Sequence, residues 1–189
     1  MMKNSVGILA ILAVLITGLA CSALSDETSK ANGLVDEANK FVSTANESVT
    51  KASSFADNFD AILTKINGAA DLEKARGIAK DLIKQYDVTI DSFKKAGEKF
   101  DEASKLKIKD KHKEYLELKA KEMKLRSDYT TEVKKVPQKL IDTESKSEFN
   151  ELMKTQLAKV KSMNSEANDL SDKADKLVKD NPDIMSQPK

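Results

Sequence analysis

From Ala38 onward the apolar positions are Ala38, Val42, Ala45, Val49, Ala52, Ala56, Phe59, Leu63 and Ile66. The spacing alternates between four and three without a break, which is the seam of a coiled coil or of a long bundle helix. Phe41, Phe55 and Ile62 widen this stripe. Polar capping residues cluster between Ser25 and Ser29, so the helix is expected to begin there. Asn67-Gly68 supplies a left-handed C-terminal stop. About 40 residues at 1.5 Å each make a rod on the order of 60 Å long.

A second stripe reads Leu72, Ala75, Ala79, Leu82, Tyr86, Ile90, Phe93, Ala96, Phe100 and Ala103. Gly77 and Gly97 fall inside it, as marks of close helix contact or as ordinary exposed glycines. The linker after the first helix is only a few residues, so the two must fold back antiparallel. Apolar residues and lysines then alternate in Ser104-Lys105-Leu106-Lys107-Ile108-Lys109. Helical spacing resumes at Tyr115, Leu118, Leu125, Tyr129 and Val133, with Glu122 where the seam calls for an apolar residue. A turn at 105–110 and a third helix to about Lys135 follow. One continuous helix from Asp71 to Lys135 would leave its stripe in water without a partner of matching length. Pro137 is expected to end the third helix.

Ser145 and Glu148 have capping-box spacing. The fourth stripe runs Phe149, Met153, Gln156, Val160, Met163, Ala167, Leu170, Ala174 and Leu177, with Gln156 its one polar member. Asn181-Pro182 stops it. The expected fold is all-α: an elongated, coiled-coil-like antiparallel four-helix bundle over residues 29–180, with a flexible tail over 181–189. Short connections favour the up-down-up-down order. Helices that associate only with partners are the alternative.

Charged residues make up 33% of the chain and there is no Trp, a composition shared by long helices and disordered segments. The sustained stripes decide for helices. Charge is uneven along the chain. Residues 105–139 hold twelve Lys or Arg against six acids, 21–70 hold four lysines against seven acids, and 140–189 hold eight lysines against ten. Such complementarity favours pairing of neighbouring helices, at little energy per exposed pair. The functional reading of the same strip is a surface for anionic lipid headgroups or an acidic partner. Few aromatics stand among the basic residues, which argues against nucleic acid.

Catalytic signals are sparse. His112 is the one histidine and reads as a solvated group at a helix end or turn. A zinc site would need Cys and His together. A di-iron bundle would need two Glu-x-x-His motifs, and no glycine-rich phosphate loop is present. The expectation is a non-enzyme without cofactor or metal. Phe59, Tyr86, Phe93 and Phe100 are the candidate lining of a small apolar ligand site, or simply core.

The first residues are of another kind. Lys3 gives a basic start, residues 6–16 are uncharged and almost wholly aliphatic, and Thr17-Gly18-Leu19-Ala20 closes with mainly small residues. This is the layout of a secretory signal peptide over 1–20. The apolar run is short of the roughly 20 residues that a bilayer span needs. An uncleaved single-pass anchor is the alternative, reading on through Leu24. Cys21, the only cysteine, follows directly.

Gly18-Leu19-Ala20-Cys21 resembles the lipobox of bacterial lipoproteins, although Gly18 stands where Leu is usual. The resemblance covers only these first residues. It implies that Cys21 is acylated and becomes the first mature residue, with 21–28 a short tether. An ordinary cysteine in a peptide cleaved elsewhere, for example after Ala23, would leave an unpaired thiol in an exported protein. Two or three acyl chains hold a protein stably on a membrane where one does not. Removing 1–20 takes away only Lys3, so the mature net charge is about zero.

The resemblance further implies a cell-envelope location. Ser22 is permissive for the outer membrane, on its periplasmic face, in a host with two membranes; otherwise the bundle sits on the outer face of the cell membrane. Lys189 resembles, in residue type and terminal position alone, the C-terminal lysine through which some small helical lipoproteins join peptidoglycan. The functional expectation is a membrane-anchored structural spacer or interaction module, pairing with itself or with an envelope protein. The alternative is an envelope bundle that senses or binds a small apolar ligand.

Overall fold

A computed structural model describes residues 26–63, 69–142 and 146–184. They form four helices, α1 (Asp26–Leu63), α2 (Ala69–Ser104), α3 (Asp110–Asp142) and α4 (Lys146–Asp180), then one 3₁₀ turn, η1 (Pro182–Ile184). No strand occurs among the described residues. The helices have 38, 36, 33 and 35 residues, so each is about 50 to 57 Å long at 1.5 Å per residue.

Side-chain pairs fix the directions of α1, α2 and α3, and α4 is set antiparallel to α3 because Ala174 and Leu177 share a core cluster with Tyr115 and Leu116 while Lys159 lies beside Glu132. Glu37 meets Lys99 at 3.0 Å while Ser48 donates to the Gln85 carbonyl at 2.8 Å, so α1 and α2 run antiparallel. Lys134 meets Asp87 at 2.7 Å and Ser127 donates to the Ile90 carbonyl at 3.3 Å, which sets α3 antiparallel to α2. Lys159 meets Glu132 at 3.0 Å across α3 and α4. Each helix packs on the next in the chain, and no interface of comparable extent joins α1 to α4 among the described residues. The bundle is therefore up-down-up-down, with three well-packed sides.

Small residues govern the outermost packing line. Among the described side chains of α1 the buried apolar positions are Ala31, Ala38, Ala45 and Ala52, one in every seven, whereas Val42 and Val49 are only half-buried. Alanine at each close-contact position lets neighbouring backbones approach. α4 repeats the device with Ala167 and Ala174. α2 lies between two neighbours and so buries two lines, Ala75, Leu82, Thr89, Ala96 and Ala103 together with Ala79, Phe93 and Phe100. Gly97 faces α3, where a Cβ would sit 3.4 Å from the Ala120 carbonyl oxygen and the Met123 Cβ. Gly77 has nothing within 4 Å of that position and is exposed. Of the two glycines, only Gly97 marks a close helix contact.

The core divides in two. One cluster gathers Ala31, Ala38, Phe93, Phe100, Leu116 and Met123 at the end where α1 starts, and the other gathers Ala52, Ala75, Ala79, Leu82 and Leu140 towards the opposite end. Between them lie the buried polar residues Ser48, Thr89, Ser127 and Thr130.

Three sequence expectations are corrected. Pro137 does not end α3, which runs on to Asp142 with Pro137 buried inside it. An interior proline costs about 3 kcal/mol. Here the last turn is held by burial of Leu140, by packing of Val136 and Ile141 on the second cluster, and by Arg76 donating to the Leu140 carbonyl at 3.5 Å. Tertiary contact outweighs the local preference. Residues 182–184 are not a loose tail: Ile184 is buried in the first cluster and its N–H donates to the Asn181 carbonyl at 3.0 Å. His112 is not solvated but 7% exposed. The break between α2 and α3 falls at 105–109, as the alternation there predicts.

Candidate functional site: a lysine-rich end and a buried ion cluster

Residues 105–109 form a tight turn rather than helix, in which the Lys105 N–H donates to the Glu102 carbonyl at 3.3 Å and the Ile108 N–H to the Leu106 carbonyl at 3.0 Å. Leu106 and Ile108 pack against the first core cluster, while Lys105, Lys107 and Lys109 are exposed. Lys111 and Lys113 continue the exposed series on the first turn of α3, around buried His112. The alternating segment is thus a turn anchored by Leu106 and Ile108 with its lysines exposed. This turn sits against the start of α1, because the Lys107 N–H donates to Glu27 Oε2 at 3.2 Å.

Lys105 meets Asp101 at 2.6 Å and Lys111 meets Glu114 at 2.7 Å. Lys107, Lys109 and Lys113 form no ion pair among the described residues. The hydrogen bond to Asp101 holds the Lys105 ammonium above its usual pKa, so it stays charged. Burial, with Lys109 nearby, pulls the His112 imidazole below its usual range. An open cleft of about 320 Å³ lies beside this end, lined by Asp101, Ser104, Lys105, Lys113, Glu117 and Lys121. Its lysines and carboxylates largely offset one another.

The second feature is internal to α3. Glu122 is 1% exposed; its Oε1 accepts from Arg126 Nε at 2.7 Å and its Oε2 from Lys119 Nζ at 2.6 Å. Arg126 is itself buried. Both carboxylate oxygens of Glu122 are thus engaged by cationic side chains of the same helix. No group of three or more His, Cys, Asp or Glu side chains suited to a metal ion occurs among the described residues.

The aromatics proposed as a ligand lining are separated. Phe93 and Phe100 are 1% exposed within the first cluster, and half-buried Tyr86 packs on the second. Burial, with Tyr129 adjacent, pushes the Tyr86 phenol up to about 12. Phe59 lies in α1 at a position whose side chain is outside the described residues, as are Cys21 and Lys189 altogether. Sequence reasoning noted Glu122 as an anomaly on the seam but missed its pairing. The signal was present: Lys119 three residues before it and Arg126 four residues after it share one helix face. No helix among the described residues is long and apolar enough to cross a membrane. Comparison of the chain with protein-family models, with curated proteins and with solved structures finds no match.

Proposed function

We propose that this chain is an envelope lipoprotein, acylated at Cys21, whose helical bundle serves without catalysis as a structural spacer or protein-interaction module. The observation that carries the reading is the position of the first helix. α1 begins at Asp26, only five residues beyond the cysteine of the lipobox-like segment. Five residues reach at most about 18 Å, so an acylated Cys21 would hold that end of the bundle close to the membrane. Helices of about 50 to 57 Å then give the bundle the length to project a distant end outward. Phe93 and Phe100 are engaged in core packing and Glu122 and Arg126 in charge pairing, which suits a scaffold.

Crosslinking in intact cells, followed by detergent extraction, tests the module. The expected result is a crosslinked species of defined mass, with a second copy or with one envelope protein. A protein that stays uncrosslinked in membranes where it is abundant would overturn the interaction reading and leave only a spacer.

A further inference from the structure

We propose that the α2–α3 turn is a membrane-facing surface that engages anionic lipid headgroups through Lys105, Lys107, Lys109, Lys111 and Lys113. The inference rests on acylation at Cys21 and names what the anchored end of the bundle touches. Three observations carry it. The Lys107 N–H bonds to Glu27 in the first turn of α1, so the turn and the anchored helix start share one end of the molecule. Five lysines fall within nine residues there against the single acid Asp110, and all five are exposed. Leu106 and Ile108 are packed on the core, which fixes the turn while its lysines stay exposed.

Acidic groups at this end are Glu27, which is engaged by the Lys107 N–H, Asp101 and Glu114, which pair with Lys105 and Lys111, and the exposed Glu102, Asp110, Glu117 and Asp180. Lys107, Lys109 and Lys113 nevertheless carry no ion pair among the described residues, so the turn itself presents unmatched positive charge. A basic segment beside a lipid anchor is the arrangement in which surface potential adds to acyl insertion. An acidic macromolecule would have no comparable reason to meet the end nearest the anchor.

The test uses acylated full-length protein reconstituted in vesicles of phosphatidylcholine alone or with phosphatidylglycerol. A fluorescent label is placed at Lys109→Cys or at Lys74→Cys, which lies roughly 45 Å along α2, and headgroup-level nitroxide lipids act as quenchers. Quenching at position 109 is expected to be several-fold stronger with phosphatidylglycerol, to fall in high salt, and to be absent at position 74. Changing Lys105, Lys107, Lys111 and Lys113 to Gln should abolish the lipid dependence while vesicle retention and acyl mass are unchanged. Equal quenching in both vesicle types, or no effect of the Gln changes, would overturn the proposal. So would lysines that are shielded from amine reagents in cells yet show no contrast between vesicles, which would assign the surface to an acidic macromolecule. If the purified protein lacks acyl mass, the anchoring reading fails by itself. The contrast between vesicle types for the added protein then still decides the turn, its presence supporting lipid contact and its absence refuting it.

Discussion

Arg126 Nε and Glu122 Oε1 lie 2.7 Å apart, one turn from each other on α3, with both side chains withdrawn from solvent. Removing one partner of such a pair leaves an uncompensated charge in the interior, at a cost of about 3 to 5 kcal/mol. Replacing both by apolar groups of similar size is neutral or stabilising. Glu122→Ala is therefore expected to lower unfolding free energy by that range, while Glu122→Leu combined with Arg126→Met restores the parent value or exceeds it. Denaturant melts of the three proteins measure this. A double variant as unstable as the single one would show that the pair supports the fold.

The two glycines of α2 should respond in opposite ways. Gly77→Ala meets open space and is expected to stabilise by about 0.5 to 1 kcal/mol through helix propensity. A large side chain at Gly97 must displace the α3 backbone at Ala120, so Gly97→Leu is expected to destabilise by at least 1 to 3 kcal/mol. Thermal melts report both, with a rise in Tm for the first and a fall for the second.

His112 gives stability a pH dependence whose sign is fixed. Burial holds its pKa below the ordinary 6.5, so between those two values the unfolded chain binds the proton more readily than the folded one. The full stability contribution is present above pH 6.5 and is lost as pH falls through the depressed folded value. His112→Gln should flatten the decline in unfolding free energy below pH 6.5 relative to the parent. Equal slopes for the two proteins would show that the imidazole is not responsible.

Gln156 sits on the α4 seam with its Oε1 buried and no hydrogen-bond partner among the described residues. An unmet buried acceptor costs about 1 to 3 kcal/mol. Gln156→Met is expected to raise unfolding free energy by about 1 kcal/mol or more. If the oligomeric state changes at the same time, by light scattering, the glutamine acts as a register device.

Helix number and approximate limits were legible from periodicity because an amphipathic face must find a partner, and the four stripes are long. The turn at 105–109 was legible because Leu106 and Ile108 break the helical spacing there. The end of α3 was not legible. Pro137 carries a strong local stop, and only the distant Arg76 and the packing of Leu140 reverse it. The buried state of His112 was hidden for a similar reason, since its lysine neighbours advertise solvent while the fold turns its side chain inward. Which helices would pack most fully was also not written in the stripes. α1 has as clean a heptad as any, yet it packs extensively on α2 alone, and its second line, Val42 and Val49, stays half-buried. For the candidate site, the lysine run was visible as composition. Its placement beside the start of α1 depends on the Lys107–Glu27 contact, across 80 residues of sequence.

The central claim is that Cys21 carries the membrane anchor. Intact-mass spectrometry of the protein extracted from its native membranes tests it most directly. The expected mass corresponds to a chain beginning at Cys21 and bearing a diacylglycerol-sized modification, and Cys21→Ala should lose both that mass and membrane retention. An unmodified chain, or a Cys21→Ala protein retained in the membrane as firmly as the parent, would contradict the account.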